Sequence, residues 1–309
     1  MMKKTLLLTL EIVICGVIML TGGCASVAKI ATMAGQQTGY INAQQAASID
    51  RSAEAVGKTF EDITPEQEHY IGRAVAATVL QTYKPCNKST FNRYLNELGQ
   101  TLAQSSDRPE TFNGYHFLAV DSDEINAFAA PGGLILVTRG LIRCCTTEDA
   151  LAAVLAHEIC HVAKKHGLKA IRKDRLTSAL NVLAVEGAKN FGGDDLSKLT
   201  EDFQGSITDI TSTMMNSGYA RSLETEADRS AVEIMKRVGY DPNAFIAMLE
   251  QIKEHNASGS SGNGLRGFAK THPDPQTRIN AVKSSIGTQH AVNEPASRAA
   301  RFVKAMASL

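Results

Sequence analysis

The spacing of apolar and polar positions divides the chain into a helix-rich body with one short β segment. Thr64-Pro65-Glu66-Gln67 opens an amphipathic run to Tyr83. A Thr cap, Pro at the first helical position and Gln three residues after the Thr form a capping-box signature. Lys84-Pro85 stops that run, and a second helical period covers Ser89 to Gln104. The period then changes to two. Tyr115–Val120 alternates as a strand, Ile125–Ala129 reads as a second, Ala130-Pro131-Gly132-Gly133 as a turn and Leu134–Thr138 as a third strand. From Thr146 to His166 there is neither Gly nor Pro. Ala, Leu, Val and Ile dominate, with Glu148 and Asp149 at the start and Lys164, Lys165 and His166 at the end, the charge order that suits a helix dipole. A helical stretch follows from Leu168 to about Lys189. Residues 194–217 are polar with scattered apolar positions and read as a mobile stretch. Further helices are predicted over Tyr219–Val238, from Pro242 to about His255, and after Thr271-His272-Pro273-Asp274-Pro275 through Ile279 and Val282. The Ser/Gly/Asn-rich residues 256–267 read as a flexible loop. The fold class predicted is α+β, mainly helical, without internal repeats.

The 309 residues are 43% hydrophobic, enough for one sizeable core. Formal net charge is zero, which leaves no electrostatic footprint for nucleic acid. Before the globular body, Lys3-Lys4 precede an apolar run from Thr5 to Leu20 interrupted by Glu11, and small residues follow. That is the plan of an export signal. Leu20-Thr21-Gly22-Gly23-Cys24 resembles a bacterial lipoprotein signal, which implies Cys24 as the lipidated first residue of the mature chain and attachment to a membrane surface. Ala25 after the cysteine resembles lipoproteins sent on to the outer membrane. The organisation expected is therefore a signal peptide over 1–23, a tether with an amphipathic helix (Asn42–Val56) over 24–63, a catalytic body over 64–288 and an unassigned tail over 289–309. Export permits disulfides among Cys86, Cys144, Cys145 and Cys160, and Cys86 could pair with Cys144 or Cys145. Cys160, inside a helix, reads as a small buried side chain.

The chemistry concentrates in Ala150–His166. His157-Glu158-Ile159-Cys160-His161 is an H-E-x-x-H motif. On a helix its two imidazoles lie one turn apart on one face and can share a metal ion, while Glu158 can reach a water at that ion. A catalytic zinc site takes three protein ligands and keeps one position open. Glu224, Glu226 and Asp228 are the carboxylates on a second predicted helix. Glu224 and Asp228 share a face and Glu226 points away. Glu224 can bind metal while Asp228 orients a ligating imidazole through its other N–H.

These residues resemble the HtpX and CAAX-prenyl-protease type of zinc metallopeptidase: His157-Glu158-x-x-His161, then Glu224-x-x-Ala227-Asp228. Asn126-Ala127-Phe128-Ala129-Ala130-Pro131-Gly132-Gly133 is similar to the edge-strand motif that precedes the metal helix in that family, and Thr271-His272-Pro273 with Arg278 is similar to its Ser/Thr-His-Pro…Arg motif. With a lipoprotein-like leader the likeness is to the periplasmic lipoprotein members of the LoiP and BepA kind, without a C-terminal repeat region. The resemblance implies a zincin-like domain whose edge strand lies beside the active-site helix, with one Zn2+ per chain. His157, His161 and Glu224 would be the ligands, Glu158 the general base and Asp228 the residue behind a ligand. His272 would either stabilise the oxyanion or occupy the open coordination site as a latency plug. Substrate would bind along Asn126, Ala127, Phe128 and Ala129 as an added strand. The implied activity is endopeptidase action on unfolded or misassembled envelope proteins by an outer-membrane lipoprotein facing the periplasm, with outer-membrane assembly machinery as a partner. The alternative is a chaperone-like lipoprotein that binds unfolded outer-membrane proteins with little or latent proteolysis.

Overall fold

The computed structural model describes residues 63–171, 204–257, 271–272, 275–288 and 292–309. The leader, Cys24, the tether helix, residues 172–189 and nearly all of the Ser/Gly/Asn-rich loop lie outside the described residues.

Helix α1 (Pro65–Thr82) starts where its capping box predicts: the Thr64 hydroxyl accepts from the Gln67 N–H, and the Gln67 side chain accepts from the Thr64 N–H at 3.0 Å. Helix α2 (Ser89–Ala103) follows. Strands β1 (His116–Val120), β2 (Ala127–Ala130) and β3 (Leu134–Thr138) form one sheet in the order β1-β3-β2. β3 runs antiparallel to β2 and parallel to β1, so β2 is an edge strand. The second strand is shifted from the reading Ile125–Ala129 because Asn126 is held outside the ladder. Its N–H donates to Thr138 Oγ1, and its carbonyl accepts from the Thr138 N–H and hydroxyl. The predicted turn is a 3-10 turn, Pro131–Gly133, in which Gly132 has φ 76°.

Alternation in the strands divides the core in two. Ala127, Ala129, Ile135 and Val137 face an apolar cluster with α2 and the later helices. Phe128, Ala130 and Leu136 face a second cluster with Ile71, Val75 and Val79 of α1. The contact between α1 and the turn after β2 is close: a Cβ on Gly72 would lie 1.7 Å from the Pro131 carbonyl oxygen. Buried Glu68 of α1 accepts from the Gly132 N–H at 3.1 Å and holds Arg108 in a two-pronged pair at 2.8 and 2.9 Å.

Helix α3 (Arg139–Cys144) links the sheet to α4 (Glu148–Ala163), whose residues are buried from Glu148 to Val162. Small alanines at 150, 152, 153 and 156 let neighbours approach α4 from every side. A short α5 (His166–Lys169) follows. Residues 204–217, expected as part of a mobile stretch, are instead helical. Positions 204–212 form a helix that runs into a π-helical turn, Thr213–Ser217, and Ile207, Ile210 and Met214 are buried. Those three scattered apolar positions fall on one face, a stripe too sparse to mark a helix beside so many polar residues. Helices α6 (Arg221–Val238), α7 (Asn243–Ala257) and α8 (Pro275–Ile286) pack around α4. The unassigned tail holds one more helix, α9 (Ala296–Met306). It lies over the first turn of α4: Arg298 pairs with Asp149 at 2.9 and 3.0 Å, and Arg301 pairs with Glu148. Cys86, Cys144, Cys145 and Cys160 are buried free thiols. Among the described residues no helix is long and apolar enough to cross a membrane.

Candidate metal centre and active-site cleft

Helix α4 carries His157 and His161 one turn apart, with their Nε2 atoms 3.1 Å from each other. Helix α6 brings Glu224 against both: Oε2 lies 3.5 Å from His157 Nε2 and Oε1 lies 3.3 Å from His161 Nε2. His272, forty-eight residues beyond Glu224, places Nδ1 2.8 Å from Glu224 Oε2. One ligand atom from each of these four residues lies within 4.8 Å of all the others. All four are 1–5% exposed.

The hydrogen bonds behind the cluster fix which face of each imidazole it receives. Asp228, one turn after Glu224 on α6, lies 2.9 Å from His157 Nδ1 and is gripped by Arg278 of α8 at 2.6 to 3.2 Å. Burial alone would raise the Asp228 carboxyl, but Arg278 and His157 hold it down at about 2. An ionised carboxylate only accepts, so His157 donates through Nδ1 and turns Nε2 inward. His161 is held by a support the sequence reading missed. His161 Nδ1 lies 2.9 Å from His166 Nδ1, and His166 Nε2 lies 3.3 Å from Glu226 Oε2. Burial drives the His166 pKa down to about 3, so this imidazole is neutral. It donates to Glu226 through Nε2, accepts from His161 at Nδ1, and leaves the His161 Nε2 lone pair facing the cluster. Glu226, read from the helical wheel as pointing away, thus joins the site from behind. His166, read as a helix-terminal charge, lies within it. The spacing of His166, five residues after His161, was the available signal.

The two inward Nε2 atoms lie 3.1 Å apart. Burial and Arg278 lower the His157 pKa, but Asp228 and Glu224 outweigh them and raise it to about 9, so these nitrogens hold a proton where a shared cation would take its place. Glu224 adds to this. Its Oε1 is buried without a hydrogen bond in good geometry. Burial favours the neutral acid, yet the His272, His157 and His161 imidazoles hold Glu224 well below the usual carboxylate range. A set of imidazole nitrogens and a carboxylate fits zinc.

Glu158 faces the other way, toward the sheet edge. With Ala127, Phe128, Ala129, Tyr219 and His272 it lines a narrow cleft. Burial pushes the Glu158 carboxyl up, the direction a proton-transfer group requires. Asn126 does not line this cleft. It is fully buried, and its Oδ1 accepts from the Ala127 N–H at 2.9 Å and from the Thr271 hydroxyl at 3.2 Å, tying β2 to the segment that carries His272. The roof of the cleft is the π-helical turn and Gly218, whose φ is 71° and whose Cα side meets the Thr271 carbonyl so closely that a Cβ would lie 2.2 Å from its oxygen. Only glycine fits there.

A three-stranded sheet whose edge runs beside a helix carrying H-E-x-x-H, with the carboxylate from a second helix, defines a zincin-like peptidase domain. The family model for Peptidase family M48 matches residues 89–286, and the chain belongs to that family. Among characterised proteins the chain is similar to the beta-barrel assembly-enhancing protease of Escherichia coli K12. The two are 28% identical over 198 residues, 62% of this chain and 38% of that protein. The putative beta-barrel assembly-enhancing protease of Vibrio cholerae is 28% identical over 222 residues, 70% of this chain and 43% of its own length. The mitochondrial metalloendopeptidase OMA1 of Schizosaccharomyces pombe is 33% identical over 162 residues, 51% of this chain and 42% of that protein. The matches therefore span 38–43% of the length of these relatives.

Proposed function

We propose that this chain is a zinc-dependent endopeptidase that hydrolyses unfolded or misassembled cell-envelope proteins. The observation that carries the reading is the pair of imidazole nitrogens and the Glu224 carboxylate converging beside Glu158 at a sheet edge. His157, His161 and Glu224 would hold the metal. Zinc bound there would supply Lewis-acid polarisation of the scissile carbonyl and of the attacking water. Glu158 takes the proton of that water and delivers it to the leaving amine. Asp228 with Arg278, and His166 with Glu226, hold the two imidazoles in the required tautomers. Once uncovered, the edge of β2 that pairs with no other strand would align substrate as an added strand through backbone hydrogen bonds, which favours extended, unfolded chain over folded protein.

The names of the bacterial relatives connect that group to β-barrel assembly. Together with the lipoprotein-like leader ending at Cys24, they support placement at the outer membrane facing the periplasm, with assembly intermediates as substrates or partners. One feature favours the second reading, binding with latent proteolysis. His272 sits inside the ligand cluster and every residue of β2 is buried, so substrate access requires displacement of the His272 segment or of the roof. His272 is therefore read as the plug rather than as the oxyanion donor.

The test is cleavage of an unfolded outer-membrane protein by the zinc-loaded mature chain, wild type against Glu158→Gln. Wild type is expected to cleave, and the variant to retain zinc and melting temperature but lose turnover. Equal cleavage by the two proteins would refute the assignment. Saturable binding without cleavage, in wild type and in His272→Ala alike, would favour the chaperone-like reading.

A further inference from the structure

Tyr219 has an unused hydroxyl in the cleft. Its ring stacks on His161 with centroids 4.5 Å apart and planes 21° apart. The hydroxyl oxygen is buried and has no hydrogen-bond partner among the described residues. On one side the oxygen borders Gly167, where even an added Cβ would come no nearer than 3.6 Å. On the other, Tyr219 lines the cleft with Glu158, His272 and the edge strand. A tyrosine phenol keeps its proton near neutral pH, so the hydroxyl is an O–H donor.

If Tyr219 served only to pack against His161, phenylalanine would serve better. A buried hydroxyl without a partner costs about 1–3 kcal/mol in desolvation. The backbone is also specialised here: the π-helical turn and the left-handed Gly218 deliver the ring onto the site. π-turns of this sort are frequent at functional sites. His272, the other candidate donor, already has its Nδ1 against Glu224.

We infer that the Tyr219 hydroxyl is the oxyanion donor: it donates a hydrogen bond to the scissile carbonyl oxygen as that oxygen gains negative charge. No bond to Tyr219 is made or broken. The phenol keeps its proton while Glu158 carries the proton of the attacking water to the leaving nitrogen. This assignment rests on the endopeptidase reading and divides the labour of the cleft: Glu158 moves protons, Tyr219 binds developing charge, and His272 controls access.

The test is Tyr219→Phe in the zinc-loaded mature chain, in the wild-type and His272→Ala backgrounds, with three readouts. Cleavage of an unfolded protein should fall about 100-fold in kcat, the usual loss of one oxyanion donor, with KM changed less than twofold. A phosphinic peptide, whose tetrahedral oxygens imitate the transition state, should bind about 100-fold more weakly by calorimetry, whereas zinc affinity is unchanged. The melting temperature should hold or rise, because an unpaired buried hydroxyl has been removed. Unchanged kcat and unchanged phosphinic-peptide affinity would overturn the assignment. So would a fall of several degrees in melting temperature, which would reveal a structural partner for the hydroxyl. If wild type binds the phosphinic peptide but cleaves nothing, the endopeptidase reading fails, and the affinity ratio still decides the role of Tyr219.

Discussion

Arg301→Met removes the cation that α9 holds against Glu148 at the start of the helix carrying the H-E-x-x-H motif. Glu148 is fully buried and accepts from Tyr94 at 3.0 Å, from Tyr240 at 2.9 Å and from Arg301 Nε at 2.8 Å. Stripping one partner from a fully buried ion pair costs about 3–5 kcal/mol. The Arg301 side chain, however, is 54% exposed, so water screens the pair, and an exposed pair is worth about 0.2–1 kcal/mol. The two phenols also stay in place. The expected loss lies between those limits, about 1–2 kcal/mol, or about 2–8 °C in melting temperature for a domain of this size. The sign with pH is fixed. Burial raises the Glu148 carboxyl, but Arg301, Tyr240 and Tyr94 outweigh it and leave its pKa below the ordinary 4.5. A depressed carboxylate stabilises the fold above its unfolded pKa and loses that contribution as pH falls through the folded value. The wild-type advantage over Arg301→Met should therefore be full at pH 7 and fade in acid. The assay is thermal melting from pH 3 to 8 with a chelator present throughout, so that metal release does not contribute. It should be run as a cycle with Glu148→Gln and the double variant. Coincident melting of wild type and Arg301→Met at pH 7, or a gap that persists unchanged at pH 3, would refute the reasoning.

Asp228→Asn and His166→Phe, which each remove a hydrogen bond behind a metal-facing imidazole, should each weaken zinc binding about 10–100-fold in a chelator competition while leaving zinc stoichiometry at saturation unchanged. His272→Ala should raise the cleavage rate on unfolded protein if His272 closes the site, and a fall in rate would instead return the oxyanion role to it. Gly72→Val should lower the melting temperature of the apo protein, because its side chain would meet the Pro131 carbonyl where even a Cβ comes to 1.7 Å.

The parts of this fold that were legible in the sequence are those where a local rule acts. Thr64-Pro65-Glu66-Gln67 forms its capping box, the gap free of Gly and Pro becomes α4, and Glu224 and Asp228 share a face because 3.6 residues make a turn. What escaped depends on distant partners. The parallel pairing of β1 with β3 leaves no local pattern. Asn126 looked like part of a docking strand, but its backbone is satisfied by Thr138, twelve residues on. Glu148 and Asp149 looked like first-turn acids suited to the helix dipole, yet their arginines lie about 150 residues away on a helix in the stretch left unassigned. His166 and Glu226 escaped because the helical wheel places each side chain on its own helix only. Their partnership is a matter of where α5 meets α6.

The clamp between α9 and α4 has a consequence for the order in which the protein is made. Glu148 and Arg301 are 153 residues apart, so at ordinary elongation rates the acid precedes its cation by about 8–30 s. During that interval the first turn of α4 carries two acidic side chains whose arginine partners on α9 have not yet been made. Burial of that turn gains the contribution of these two arginines only once α9 has emerged. The helix that carries the H-E-x-x-H motif is thus completed by one of the last segments of the described chain to be made.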